Sequence, residues 1–573
     1  MKKILTTLIL LVFLVQIKAQ TAPNKYWVEF KNKTNSPYQV NNPLSFLSQR
    51  AIDRRLRMNI QITAQDFPVN SWYLDSIQQT GAIVLTTSRW HNGATFYTTD
   101  TAIVTRISNM SFVRNIQKTN AIKSNSKKQN SQIILPIDKN QRSLMKINQD
   151  NSSLTAKSLN SFNYGFAYPQ ISMIKGDYLH QMGFSGEGML IGVLDAGFFQ
   201  ADVLPAFDSL WLNNQIIGYQ DFVNPNSNIF QESSHGMMVL SIMGGNIADS
   251  LVGTAPKASY LLLRSEDAPT ENLVEEDNWV AAIEFADSVG VDVVNSSLGY
   301  TTFDDTTIVR TFADMNGRVS RASLAATYAG RRGMILCISA GNSALDPWHH
   351  IGVPTDADSI LSVGAVDAFL YHASFSSVGP AADGRVKPDV AAMGQGTYVQ
   401  DIDGRIISGN GTSFSSPVLA GSVACLWQAF PNKSNFEIMD AIRKSGNQYN
   451  NPDTLLGYGV PNFMNAYQSL LSVGVPSITE SQDNFMVYPN PLIDNQSLYI
   501  SFYSPQNCNA NVVIYNNMGK IQGFYQVDNV LLGENKIQLL NSAKLSSGVY
   551  YIKILSSGFS YTSRFIKSST TSN

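Results

Sequence analysis

Only three of the 573 residues are cysteine, and Cys337, Cys425 and Cys508 lie far apart. An odd, scattered set argues against a disulfide framework, and the lack of CxxC and HExxH spacing removes the commonest zinc signatures. Two of the three sit in apolar runs, "MILCISA" and "VACLW", where a thiol behaves as a small hydrophobe. Charge is also sparse, at 15% of residues against 44% hydrophobic, which describes a folded chain rather than a disordered one. Long apolar runs are missing beyond the N-terminus. The one present, in "MKKILTTLILLVFLVQIKAQ", follows two lysines and is too short to span a bilayer comfortably. It reads as a signal peptide over residues 1–19. The expectation is an exported protein without a transmembrane helix, divided into about three to four domains.

What charge there is divides unevenly. Residues 21–125 carry 12 Lys/Arg and 5 Asp/Glu, a net of +7, whereas residues 161–470 carry 14 and 31, a net of −17. Two independently solvated surfaces would fit this asymmetry, and so would two segments that dock on one another. The acidity of the largest segment argues against nucleic-acid binding.

Residues 20–125 read as a small α+β unit. "YWVEF" is strand-like, "LSQRAIDRRL" and "NSWYLDSIQQTG" are helix-like, and "AIVLTTSRW" and "GATFYTT" form a strand pair around "HNG". Residues 126–160 are rich in Ser, Asn, Lys and Gln without periodicity, as in an exposed linker open to proteolysis. Over 161–471 the pattern becomes α/β. The short apolar runs "GMLIGVLD", "ASYLLLRS", "VDVVNSSLG", "GMILCISAGN" and "ILSVGAV" alternate with amphipathic stretches, which predicts a parallel sheet covered by helices on both faces. In such folds reacting groups gather beyond the carboxyl ends of the strands. After a connection at 472–484, residues 485–573 show only strand-like runs between Gly, Asn and Ser turns, predicting a β-sandwich.

The stretch "SGNGTSFSSPVLAG" crowds hydroxyls and glycines around Ser413, just before an apolar helical run, with Pro417 expected inside the first turn. Capping accounts for some of those hydroxyls. A serine at a helix start also lies in a positive field that favours an attacking oxygen. Three other residues supply what such an oxygen needs. Asp195 follows a buried strand in "IGVLDAGF", His235 precedes an apolar helix in "ESSHGMMVLSIMGG", and Asn342 follows a buried strand in "CISAGNSA". Together they are the parts of acyl transfer: Ser413 as nucleophile, His235 as base, Asp195 orienting the imidazole, and Asn342 with the Ser413 N–H holding the oxyanion.

On these motifs the region 161–470 resembles the subtilases, the subtilisin-like serine endopeptidases. "GTSFSSP" matches the family's serine box and "SAGN" its oxyanion box, and "NSSLG" is similar to the strand that pairs with substrate backbone. The resemblance implies a cleft with Ser297, Leu298 and Gly299 on one wall and Ala340 and Gly341 on the other. Two positions depart from the family pattern: Ala196 stands where Ser or Thr usually follows the aspartate, and Met237 where Thr usually follows His-Gly. Both lack hydroxyls that could bond near the triad, and neither removes a reacting group. An α/β-hydrolase lipase would need G-x-S-x-G and a different chain order. A non-catalytic surface-binding protein on the same fold is the remaining alternative.

The resemblance further implies that residues 20–125 are an inhibitory, folding-assisting prodomain, separated from the catalytic domain by a cut within 126–160. "VYPNPL", "LSSGVYYIKI" and "SRFIK" resemble the type IX secretion sorting domain of Bacteroidetes, implying passage through the periplasm to secretion or the outer cell surface. The implied partners are protein or peptide substrates, the protein's own prodomain and the type IX machinery. No cofactor is required by this chemistry. A structural calcium has no support, because the one oxygen pair in "FADMNGRVS", Asp314 and Asn316, falls far short of six to eight ligands, and a plain turn is expected there.

Overall fold

The computed structural model describes residues 24–119, 162–472 and, with short gaps, 485–568. The signal-like segment 1–19, the linker 126–160 and nearly all of 472–484 lie outside the described residues.

In "KYWVEF" both Trp27 and Val28 are buried although their side chains point to opposite faces, so this strand is covered on both sides. As β1 (Lys25–Phe30) it pairs antiparallel with β3 (Gly93–Tyr97) and β4 (Val113–Lys118), and β2 (Ile83–Ser88) adds to β3. The order is β2-β3-β1-β4, with β2 and β3 flanking the "HNG" turn. Helices α1 (Gln49–Arg57), α2 (Ser71–Gln78) and α3 (Thr101–Ser108) begin at Ser48, Asn70 and Asp100, whose side chains each accept an N–H of the first turn. One sheet face packs a core of Phe30, Tyr73, Ile77, Phe96 and Ile107. The other face turns Trp27 and Thr95 towards the large α/β domain, where they meet Arg321 and Asp277.

Five apolar runs of that domain form buried strands: β5 (Leu190–Asp195), β7 (Ser259–Arg264), β8 (Val293–Ser296), β9 (Ile335–Ser339) and β10 (Leu361–Val366). With β6 (Ile216–Asp221) and β11 (Val390–Met393) at the edges they make a parallel sheet, β11-β10-β9-β8-β5-β7-β6. Helices α5 (Val274–Val289) and α6 (Arg321–Arg331) cover one face around Trp279, Ile283 and Ala325. Helices α4 (His235–Gly244) and α7 (Thr412–Ala429) pack together on the other. Because β6 and β7 are added on one side of β5 and β8 to β11 on the other, a crevice opens at the carboxyl end of β5. That is where the candidate residues converge.

The C-terminal unit is a separate antiparallel sandwich. One sheet has the order β12 (Phe485–Tyr488), β13 (Leu498–Ser504), β16 (Gly533–Leu539). The other runs β15 (Ile521–Val530), β14 (Cys508–Asn516), β17 (Gly548–Ser556), β18 (Ser560–Lys567). Inward positions of alternating strands, among them Ile500, Phe502, Val512, Ile552 and Phe565, fill the space between them.

Candidate active site

Asp195 ends β5 fully buried, and His235 is the first residue of α4. The His235 Nδ1 lies 2.7 Å from Asp195 Oδ1, with 16% of the histidine side chain exposed. Burial depresses the basicity of this imidazole, but the charge and hydrogen bond of Asp195, together with the charge of Glu266, outweigh it. The net effect raises the His235 pKa above its ordinary 6.5. The Ala196 N–H donates to the same Oδ1 at 2.8 Å. Asp195 Oδ2 is buried without a hydrogen-bond partner among the described residues. Met237 is fully buried on α4.

Ser413 is the second residue of α7. The helix starts earlier than the sequence suggested: its N-cap is Gly411, with no side-chain cap, so Pro417 lies in the second turn and not the first. The proline has a consequence there. Lacking an N–H, it leaves the Ser413 carbonyl without its helical donor, and Ser297 Oγ donates to that carbonyl at 2.9 Å. Asn295 Nδ2 donates to Ser297 Oγ at 3.1 Å and Ser416 Oγ to Asn295 Oδ1 at 2.7 Å, so the end of β8 is bonded to the start of α7. The Ser413 hydroxyl itself donates to the Ser297 carbonyl at 3.4 Å. Among the described residues it makes no hydrogen bond to His235.

Asn342 stands just beyond β9. Its Oδ1 accepts the Thr412 N–H and the Thr412 hydroxyl, each at 2.9 Å, and Thr412 Oγ1 accepts the Gly341 N–H at 3.1 Å. With the oxygen so engaged, the amide nitrogen is the end left to face the cleft. A Cβ placed on Gly411 would lie 3.7 Å from both Asn342 Nδ2 and the Ser413 nitrogen, so one small space faces both donors. Gly411 has φ +155° and ψ 148°, a conformation essentially reserved for glycine, which keeps that space open. Thr412 is the residue that the motif reading passed over. Its partners lie 70 and 71 positions earlier, so no local pattern marks it.

The expected cleft walls are the segments leaving neighbouring parallel strands β8 and β9. Ser297, Leu298 and Ala340 are buried, whereas Gly299 is exposed and Gly341 partly so. The Asp314 carboxylate accepts from the Thr311 N–H at 2.7 Å, capping a short turn. The cysteines are all free, with Cys337 and Cys425 buried.

A second charged cluster joins the N-terminal unit to α5 and α6. Arg55 and Arg89 reach Asp287 Oδ2 at 2.7 and 2.5 Å, and Arg54 bonds its Oδ1. Glu284 accepts from the Ser88 hydroxyl and from the N–H groups of Arg89 and Trp90. In the opposite direction Arg332 pairs with Asp66 at 2.6 Å, and its guanidinium lies 4.7 Å from the Trp90 ring centroid. Part of the opposite net charge of the two segments is thus used in docking.

A parallel α/β sheet that carries an aspartate–histidine pair, a helix-start serine and an amide donor at its carboxyl end has the architecture of a subtilisin-like domain. Comparison with known families agrees. Residues 186–459 match the subtilase family (Peptidase S8), residues 25–133 the Bacteroidota peptidase S8 propeptide domain, and residues 486–568 the secretion system C-terminal sorting domain. The central part of the chain, just under half of its length, thus carries a subtilase-family domain. Among curated relatives, Subtilisin NAT of Bacillus subtilis subsp. natto is 29% identical over 286 residues, covering 49% of this chain and 66% of that protein. Serine protease AprX of Bacillus subtilis (strain 168) is 24% identical over 317 residues with the same coverage. The chain therefore spans just under two thirds of the length of these relatives. The crystal structure of MycP1 from Mycobacterium smegmatis aligns at 20% identity and TM-score 0.42, over 55% of this chain and 86% of that one.

Proposed function

We propose that the protein is an exported serine endopeptidase, made as a self-inhibited precursor. The observation that carries this reading is the 2.7 Å Asp195–His235 contact beside a space faced by both the Ser413 N–H and the Asn342 amide. The Ser413 hydroxyl turns from the Ser297 carbonyl to His235, gives its proton to Nε2 and attacks the substrate carbonyl carbon. The oxyanion that forms is held by the two N–H donors, and Asp195 stabilises the imidazolium. His235 then passes the proton to the leaving amine as the C–N bond breaks, leaving an acyl-Ser413. Water, deprotonated by His235, hydrolyses the ester and returns the hydroxyl. Substrate backbone lies along Ser297, Leu298 and Gly299, opposite Ala340 and Gly341.

Residues 20–125 act as the inhibitor, and their removal by a cut within 126–160 releases the enzyme. The C-terminal sandwich directs the protein across the periplasm and through the type IX machinery, to secretion or the outer surface. The second reading, a surface-binding protein on an idle subtilase fold, draws on the Ser413 hydroxyl facing Ser297 instead of His235. The two readings separate when residues 21–573 and a Ser413→Ala copy are followed by intact mass. A peptidase sheds a fragment ending within 126–160 only when Ser413 is present. If neither sheds it, fluorophosphonate labelling of Ser413 after the prodomain is removed decides, and absence of label in folded protein sinks the peptidase reading.

A further inference from the structure

Arg264 ends β7, directly opposite Asp195 in the parallel register of β5 and β7. Its side chain is 4% exposed, so its charge is compensated inside the protein or not at all. The guanidinium spreads over four chain segments. Nε donates to the Ala196 carbonyl at 3.1 Å, Nη1 lies 2.9 Å from Asp221 Oδ2 at the end of β6, and Nη2 lies 3.3 Å from Glu232 and 3.4 Å from Asp267. Asp221 is itself fixed, accepting the N–H groups of Val223 and Asn224.

Two of those segments bear the proposed acid and base. Ala196 follows Asp195, and Glu232 comes three residues before His235. Both strands of chain also lean on each other. A Cβ on Gly197, φ +150°, would fall 2.5 Å from the Ser233 nitrogen and 2.7 Å from the Glu232 Cβ, so only glycine permits the approach. The Phe199 N–H donates to the Ser233 carbonyl at 3.2 Å. Asp195 needs outside support, because its Oδ2 has no hydrogen-bond partner among the described residues and Oδ1 alone is held.

We propose that Arg264 is a positioning residue for the Asp195–His235 pair. Its fork fixes the Ala196 peptide on one side and Glu232 on the other, setting the distance across which the 2.7 Å bond forms. It thereby does part of what a hydroxyl at position 196 would otherwise do for the aspartate. Lysine cannot replace it, since one ammonium point charge does not span three directions. The inference rests on the reading of His235 as the base.

The test uses full-length Ser413→Ala protein with 13C-labelled histidine, so it needs no turnover. The His235 signal is identified by its loss in a Ser413→Ala/His235→Gln protein and then titrated. The charged groups that act on His235 are Asp195 from β5 and Glu266 from beyond β7, while Glu232 faces Arg264. Arg264→Lys and Glu232→Asp both keep charge, so simple electrostatics leaves the titration where it is. Loss of placement lengthens the Asp195–His235 bond and lowers the His235 pKa by about half a unit or more. An unchanged titration in folded Glu232→Asp protein overturns the proposal, even if Arg264→Lys fails to fold. With Ser413 restored, the same variants lose about tenfold in kcat with KM nearly constant. A merely structural arginine would reduce the fraction of sites labelled by fluorophosphonate but not the rate per labelled site. If the parent labels nowhere, the peptidase reading fails while the titration still decides the role of Arg264.

Discussion

Arg55 in the N-terminal unit and Asp287 on α5 meet with Nη2 2.7 Å from Oδ2, their side chains 1% and 0% exposed. Burial disfavours the Asp287 carboxylate, but Arg55, Arg89 and Arg54 more than reverse this and hold its pKa well below the ordinary range. Buried charges of this kind are costly when one partner goes. Asp287→Asn in Ser413→Ala protein is expected to lower the urea stability of the docked N-terminal unit by about 3–5 kcal/mol. A loss under about 1 kcal/mol would mean that the cluster behaves as a solvated surface pair.

The same interface makes docking sensitive to acid. The His91 Nε2 lies 3.0 Å from the Arg321 carbonyl, and burial, helped by the Arg321 charge, depresses its pKa from 6.5 to about 4. A group held neutral in the folded state stabilises it fully above the unfolded pKa, and that contribution disappears as pH falls towards the folded one. Stability should therefore decline between pH 6.5 and 4, by up to about 3 kcal/mol from this residue. The slope of unfolding free energy against pH, measured with and without His91→Gln, checks the assignment: equal slopes would exclude His91.

Much of this was legible before any coordinates. Asp195 closes one apolar run and Asn342 follows another, so their place at strand ends follows from hydropathy alone, while His235 precedes an apolar run of helical length. The charge asymmetry between the two segments also foreshadowed docking. Which arginines dock did not follow, because "QRAIDRRLR" has the charge pattern of a solvated helix and only the second domain buries Arg54 and Arg55. The edge strand β6, IIGYQD, lacks the continuous apolar run of the inner strands, and β11, VAAM, is half alanine, so neither stands out in the sequence. Arg264 ends an apolar strand like any solvated terminal residue, and its partners Ala196, Asp221 and Glu232 come from segments that only the fold brings together.

In the proposed reaction His235 is the base, and its raised pKa sets the acid limb of the rate. The base must be neutral to take the Ser413 proton, so kcat/KM should fall as pH drops through a midpoint above 6.5. Neutralising Glu266 as Gln removes one raising charge and should move the limb to lower pH. A limb that stays in place would show that Asp195 alone supports the imidazolium.

Thr412 should matter to the rate more than to binding. Its hydroxyl holds both Gly341 and Asn342, so Thr412→Val frees the amide to rotate. Asn342→Ala is expected to lower kcat by about 10²–10³, and Thr412→Val by about tenfold, with KM little changed in both. A rise in KM at constant kcat would instead place these residues in ground-state binding.

Asp195 Oδ2 has no hydrogen-bond partner among the described residues, and that supplies the most direct test of how this site is tuned. A buried acceptor without a donor costs free energy, and a charged acceptor costs more than a neutral one. Ala196→Ser puts a hydroxyl on the adjoining residue, 5% exposed, where the wider family usually has one. If that hydroxyl reaches Oδ2, stability should rise by about 1 kcal/mol. The carboxylate would become a poorer proton acceptor and better fixed, so kcat should change by no more than severalfold. The informative comparison is between Ala196→Ser and Ala196→Val. Valine adds more bulk than serine and no donor, so a gain shared by both would come from packing, and a gain confined to serine would point to the hydrogen bond. If serine destabilises as much as valine, Asp195 is already satisfied through its surroundings, and Arg264 with Ala196 is the arrangement that makes the hydroxyl dispensable.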